Sequence, residues 1–296
     1  MPDRDLVGYA DTPPRVTWPQ GARVAISLVV NYEEGSENLL QDGLPRRESW
    51  GEAMSPVPPD QRDLALESMF EYGSRVGVWR FLRIFAKYGV RTTFFACAVA
   101  LERNPAVARA ITAQGHDVCG HGNRWEEYYL MDRDTERRAI HEGYAGIERL
   151  TGQRPLGWYC RYGPSEQTRE LVVEHGGFIY DSNAYNDDLP YYTTVGGRKW
   201  LVVPYSLALN DARFWRGYYA TGDDFYQSAK ETFDTLYEEG ETTPKMMSMG
   251  LHCRMAGVPG RANGLDRFIA YAQSHPDVWF AGRSDIAKWW LEHQKA

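Results

Sequence analysis

A chain of 296 residues, 43% hydrophobic and 25% charged, carries enough apolar material for a sizeable globular core. Its formal net charge of −7 and its lack of long basic clusters argue against nucleic acid or an anionic membrane as a partner. The polar start MPDRDLVGYADTPPR has no apolar h-region, and no run approaches the ~20 apolar residues of a membrane span. Cys97, Cys119, Cys160 and Cys253 are scattered without a C-x-x-C pair, so reduced, buried thiols in a cytoplasmic protein are expected.

Short apolar runs alternate with helical patterns along the whole chain. The runs RVAISLVVN, TTFFACAVA, HDVCGH, LGWYCR, FIYDS, WLVVPYS, KMMSMGLHC and DVWFAG read as strands. The intervening VWRFLRIFAKYG, NPAVARAITAQG, DTERRAIHEGYAGIERLTG, QTRELVVEHGG, DDFYQSAKETFDTLYEEG and LDRFIAYAQSH read as helices. Gly89, Gly115, Gly152 and Gly176 stand where four of these helices should stop. Strict alternation implies parallel βα units, and seven or eight of them imply a distorted (β/α) barrel in one domain over residues 1–296. The proline-bearing segment at about 35–77 interrupts the rhythm and is expected to cover the active site as an insertion.

Barrel enzymes collect their chemistry at the C-terminal ends of strands. Those ends carry Glu33 and Glu34, His121, Arg161, Asp181 and His252. His116 and His121 are an odd offset apart, on opposite faces and about 16 Å apart in an extended strand, so they cannot chelate one ion. His141, His175, His275 and His293 fall in or beside helices and are expected at the surface. No G-x-S-x-G elbow, Walker loop or H-E-x-x-H is present. Adjacent residues of a strand point to opposite sides, so Glu33 and Glu34 can share one site only if the chain bends, for which Gly35 offers a place. Otherwise one works and the other pairs with an arginine such as Arg75 or Arg124.

The linked segments WPQGARVAISLVVNYEEG, LESMFEYGSRVGVWRFLRIF, GHDVCGHGNRW, RPLGWYCRYGP, GGFIYDSNAYNDDLPYY and PKMMSMGLHCR resemble the NodB-homology polysaccharide deacetylase family. Within it they are similar to the metal-independent allantoinase and cyclic-imide-hydrolase branch. The family's metal-dependent members carry an Asp-Asp pair after the first strand and an H-x-x-x-H. Here the pair is Glu33-Glu34 and the second histidine is replaced by Trp125, so the resemblance implies a site with no metal and no cofactor. It implies Glu33 as base and His252 as acid, and Arg161 lies near the family's Arg-x-Pro segment although RYGP departs from that order.

An acetamide is a poor electrophile that benefits from a Lewis acid, whereas a cyclic imide or ureide is already activated by its second carbonyl. The expected reaction is therefore hydrolysis of a small cyclic imide or allantoin-like ureide. In it Glu33 activates water, Glu34 orients it or holds a substrate N–H, His121 and Arg161 bind the carbonyl oxygen, and His252 protonates the leaving nitrogen. Tyr32, Trp125, Tyr128, Asp181 and Tyr191 are expected to wall the pocket, and the branch resembled implies a homo-oligomer, a tetramer. Rival readings are a metal-dependent N-deacetylase of polysaccharide or peptidoglycan and an inactive, metabolite-binding barrel.

Overall fold

A computed structural model of the chain describes residues 4–49, 51, 55–161 and 163–294. In chain order it contains β1 (Val24–Tyr32), α1 (Leu64–Tyr72), α2 (Val78–Tyr88), β2 (Thr93–Ala96), α3 (Ala98–Arg103), α4 (Pro105–Ala113) and β3 (Asp117–Gly120). These are followed by α5 (Arg133–Thr151), β4 (Gly157–Trp158), α6 (Thr168–His175), β5 (Tyr180–Asp181), β6 (Tyr191–Val195) and β7 (Arg198–Val202). The chain ends with α7 (Ala212–Trp215), α8 (Gly222–Glu239), β8 (Lys245–His252), α9 (Pro259–Gln273), β9 (Val278–Phe280) and α10 (Arg283–His293).

Eight strands form one curled sheet in the order β6-β7-β5-β4-β3-β2-β1-β8, and the short β9 pairs with the start of β1. All neighbours are parallel except the β6–β7 hairpin. This is the expected α/β distorted barrel, left irregular between the β6–β7 hairpin at one edge and β8 at the other. There Met246 N–H donates to the Asp188 carbonyl, and Asn210 bridges to Gly250. Arg283, wholly buried, ties the same side together by donating to Ser182, Ser248 and the carbonyls of Val203 and Pro204.

β1 is buried at every position, as a strand covered on both faces must be. Its even residues Val24, Ile26, Leu28, Val30 and Tyr32 pack with the helix layer, alongside Phe81, Phe85 and Phe268. Its odd residues Ala25 and Val29 join Phe95, Cys119, Tyr159 and Met246 inside the barrel. Gly89, Gly152 and Gly176 cap α2, α5 and α6 in the left-handed conformation, as their positions foretold. The four cysteines are free and buried. One expected strand is half helix: TTFFACAVA leaves the sheet after Ala96, because the alanine-rich stretch that follows buries Ala98, Ala100 and Leu101 as α3. Residues 64–77 of the expected cover are a helix and a π-turn that run into α2, with Leu66 and Phe70 in the core.

Candidate active site

The two-residue period of the strands decides which side chains reach the barrel mouth. Asn31 and Glu33 continue the inward face of β1, His121 that of β3, Tyr159 and Arg161 that of β4, and His252 that of β8. All six line one cavity of about 280 Å³. Larger clefts of 440 to 540 Å³ elsewhere contain none of these charged groups.

Glu33 is the hub and is 3% exposed. One carboxylate oxygen, Oε1, lies 3.1 Å from His121 Nε2 and 4.0 Å from Arg161 Nε. The other, Oε2, lies 3.4 Å from Arg254 Nη1 and 3.8 Å from His252 Nε2. Burial alone would raise its pKa. The His121 hydrogen bond and the charges of His252, Arg161 and His121 outweigh it and hold the carboxyl well below the usual range. His121 Nδ1 donates to the Tyr159 carbonyl at 2.8 Å, so the Nε2 contact with Glu33 needs a proton between the two groups.

His252 Nδ1 donates to Asp211 Oδ1 at 2.6 Å, which leaves Nε2 facing Glu33 and the cavity. Burial works against the imidazolium, but the Asp211 charge and hydrogen bond, with Glu33, raise the His252 pKa above its ordinary value. Asp211 is itself anchored by the backbone N–H groups of His252 at 2.7 Å and Ala256 at 3.0 Å.

Glu34 does not enter the cavity. It follows the outward parity of Tyr32 and accepts from Arg254 N–H at 3.1 Å, with Arg254 Nη1 at 3.7 Å. A Cβ on Gly73 would stand 2.2 Å from Glu34 Oε1, so the π-turn before α2 must present a glycine there. Burial, only partly offset by Arg254 and reinforced by Glu33, pushes the Glu34 pKa up to about 7. The two acids are therefore split across the strand. The arginine that pairs with the second is Arg254, whereas Arg75 pairs with Glu71 and Arg124 with Asp42.

Trp125 is buried beneath the arginines: the Arg161 guanidinium lies 3.5 Å from its ring centroid and that of Arg254 5.5 Å away. Phe70 of α1 packs edge-on against the same indole at 5.5 Å. Trp125 stands behind the arginines and does not line the cavity, and the other expected wall residues are elsewhere too. The Tyr32 hydroxyl bonds Ser74, Tyr128 packs on Trp158 with its hydroxyl on Glu126, and Asp181 accepts from Arg169 and Trp200. Tyr191 lies on β6, its hydroxyl on Asn186. The wall is instead built by Tyr159, Tyr185, Tyr205, Asn210 and Trp215, with Gly51 from the covering segment. Sequence reasoning missed Asp211, Arg254 and these tyrosines. Only Arg254, two residues past the β8 end, carried a positional signal.

A divalent ion does not fit this donor set. The position that would complete H-x-x-x-H is an indole with no lone pair to offer, Glu34 is turned behind Arg254, and two guanidinium groups crowd Glu33. Among the described residues no three His, Cys, Asp or Glu side chains converge as a metal site. The arrangement can instead supply a carboxylate, a protonated imidazole and two fixed cations to one small polar molecule.

The polysaccharide deacetylase family profile matches residues 59–178. A Schizosaccharomyces pombe protein bearing a polysaccharide deacetylase name is 38% identical over 97% of this chain and 96% of its own. A Pseudomonas aeruginosa PAO1 structure, also named for polysaccharide deacetylase, is 48% identical with a TM-score of 0.93 and 98% coverage of both chains. The structure of the PuuE allantoinase is 46% identical, again with a TM-score of 0.93 and 98% coverage of both. This chain, with its tryptophan-for-histidine replacement and its arginine-ringed glutamate, belongs to the polysaccharide deacetylase family.

Proposed function

We propose that this member of the family hydrolyses the C–N bond of a small cyclic amide, a cyclic imide or an allantoin-like ureide, by acid–base catalysis without a metal. The observation that carries the reading is the replacement of a metal donor by Trp125, with Arg161 stacked on its face and Glu33 ringed by cations. The cavity volume of about 280 Å³ suits a single small ring. Likeness to the PuuE allantoinase over nearly the whole chain supports the same substrate chemistry.

In this reading Glu33 takes a proton from water as the water oxygen bonds to the ring carbonyl carbon. Arg161 and Arg254 face the charge that develops on the carbonyl oxygen. Collapse of the adduct breaks the C–N bond, and His252 Nε2–H protonates the leaving nitrogen. The proton held by Glu33 then returns to His252, and the product is the open-chain amide acid. Glu33 is ionised at every working pH, but its depressed pKa makes it a weak base. Stabilisation of the oxyanion by the guanidinium groups must therefore supply a large share of the rate, about 10²–10³-fold per well-placed donor.

The test is a substrate panel of succinimide, allantoin and an N-acetylated sugar, with metal content measured on the same sample. Turnover of a ring substrate by metal-free protein is expected. Deacetylation of the sugar, dependent on a stoichiometric ion, favours the deacetylase reading that two of the relatives' names carry.

A further inference from the structure

We infer that the Tyr205 hydroxyl is an obligate hydrogen-bond donor to the ligand, reading a second carbonyl oxygen across the ring nitrogen. The inference rests on the proposed function and follows from donor and acceptor bookkeeping. A phenol oxygen offers one proton and two lone pairs. Asn31 Nδ2 reaches the Tyr205 oxygen at 3.2 Å and Asn210 Nδ2 reaches it at 3.1 Å. Independent partners fix both amide orientations. Asn31 Nδ2 also donates to the Leu251 carbonyl at 3.3 Å, and Asn210 Oδ1 accepts from Ala212 N–H at 2.8 Å. Two donors thus occupy the acceptor capacity of Tyr205, and its own proton has no acceptor among the described residues.

The position of that proton gives it a use. Tyr205 is 2% exposed and lines the cavity together with Asn31 and Asn210. Its hydroxyl sits against Gly250, where a Cβ would approach to 2.0 Å, so a glycine is required for the phenol to enter. Gly250 lies two residues before His252, whose register partner is Asn31, itself two residues before Glu33. The hydroxyl therefore lies at the floor, beneath the Glu33–His252 pair. The neighbouring Tyr159 and Tyr185 hydroxyls share one hydrogen bond at 2.7 Å, which commits one of their two protons, whereas Tyr205 is the wall phenol whose lone pairs are both taken by amide donors. A ring with carbonyls on both sides of its nitrogen places one at Glu33 and the other at Tyr205. A simple lactam leaves the Tyr205 proton buried without a partner, and this is the discrimination the site imposes.

The experiment compares succinimide with 2-pyrrolidinone, which has the same ring but one carbonyl. Tyr205→Phe is expected to lower kcat/KM for succinimide about 3- to 10-fold while the inhibition constant of 2-pyrrolidinone stays unchanged. Asn210→Asp, which turns the Tyr205 proton toward the new carboxylate, should reproduce the loss with the phenol still in place. Titration of both ligands into each variant in a Glu33→Gln background reads the same preference without turnover, so it stands even if no ring substrate is hydrolysed. Equal weakening of imide and lactam, or an unchanged preference in both variants, overturns the inference. Absence of ring hydrolysis by the unmodified protein overturns the proposed function instead.

Discussion

Replacing Glu33 by Gln keeps the side-chain volume and removes one negative charge from the centre of four basic groups. Loss of the general base should lower kcat by about 10²–10⁴-fold. A second effect follows from the geometry. Glu33 helps to hold the His252 pKa up from 3.8 Å. Two unit charges at that separation interact by about 4 kcal/mol at an effective dielectric of 20. Arg254, which works against the imidazolium, remains in the variant, so nothing offsets the loss of Glu33 at His252. The alkaline limb set by the protonated His252 should therefore move to lower pH in the residual activity. The assay is a pH profile of kcat/KM for both proteins, with circular dichroism confirming the fold. Turnover within tenfold of the unmodified enzyme, or an alkaline limb that does not move, refutes the assignment of Glu33 and its coupling to His252.

Asp211→Asn should also move the alkaline limb to lower pH, because Asp211 contributes the largest effect that raises His252, and kcat should fall at least tenfold; an unshifted limb would show that the dyad does not tune the acid. Glu34→Gln tests linkage. A carboxyl raised to about 7 in the folded state favours folding below its unfolded pKa, and that contribution is lost as pH rises through 7. The variant should match the unmodified protein near pH 4 and exceed its stability by about 3 kcal/mol at pH 8.5, read by urea unfolding; a variant less stable at pH 8.5 would mean the Arg254 pair outweighs the burial penalty. Prolonged dialysis against a chelator should leave ring hydrolysis intact, and Trp125→His should not gain a stoichiometric zinc while Arg161 and Arg254 stay in place. Metal analysis showing one tightly held ion per chain, needed for turnover, contradicts the donor-set argument.

Much of the site was legible because strand ends are local features. An apolar run that stops at a polar residue marks a barrel mouth, and VVNYEEG, VCGHG and GLHCR each did so. The period of two carried more than the resemblance alone. Counting parity from the buried β1 run places Glu33 inward and Glu34 outward, as the core packing of Tyr32 bears out, and the turn that follows at Glu34–Gly35 does not bring the two acids into one site. Wall residues were less legible. Tyr32, Tyr128, Asp181 and Tyr191 stand close in sequence to strand ends or pocket segments, yet each faces the helix layer, another internal bond or a different cleft. Nearness along the chain says little about which side of a sheet or loop a side chain takes.

The sequence by itself determined the alternation of strands and helices, the glycine stops, the polar strand ends and the loss of a second histidine. Each is written in a short window where backbone propensity and side-chain period act. Only the tertiary structure decided that Glu34 pairs with Arg254 across 220 residues and that Asp211 seats His252 across 41. It alone exhausted the lone pairs of Tyr205 with two asparagines, one of them 174 residues away. The physical reason is that hydrogen bonds and ion pairs act over a few ångströms, and which distant groups come that close is set by strand order and by loops with no periodic signature.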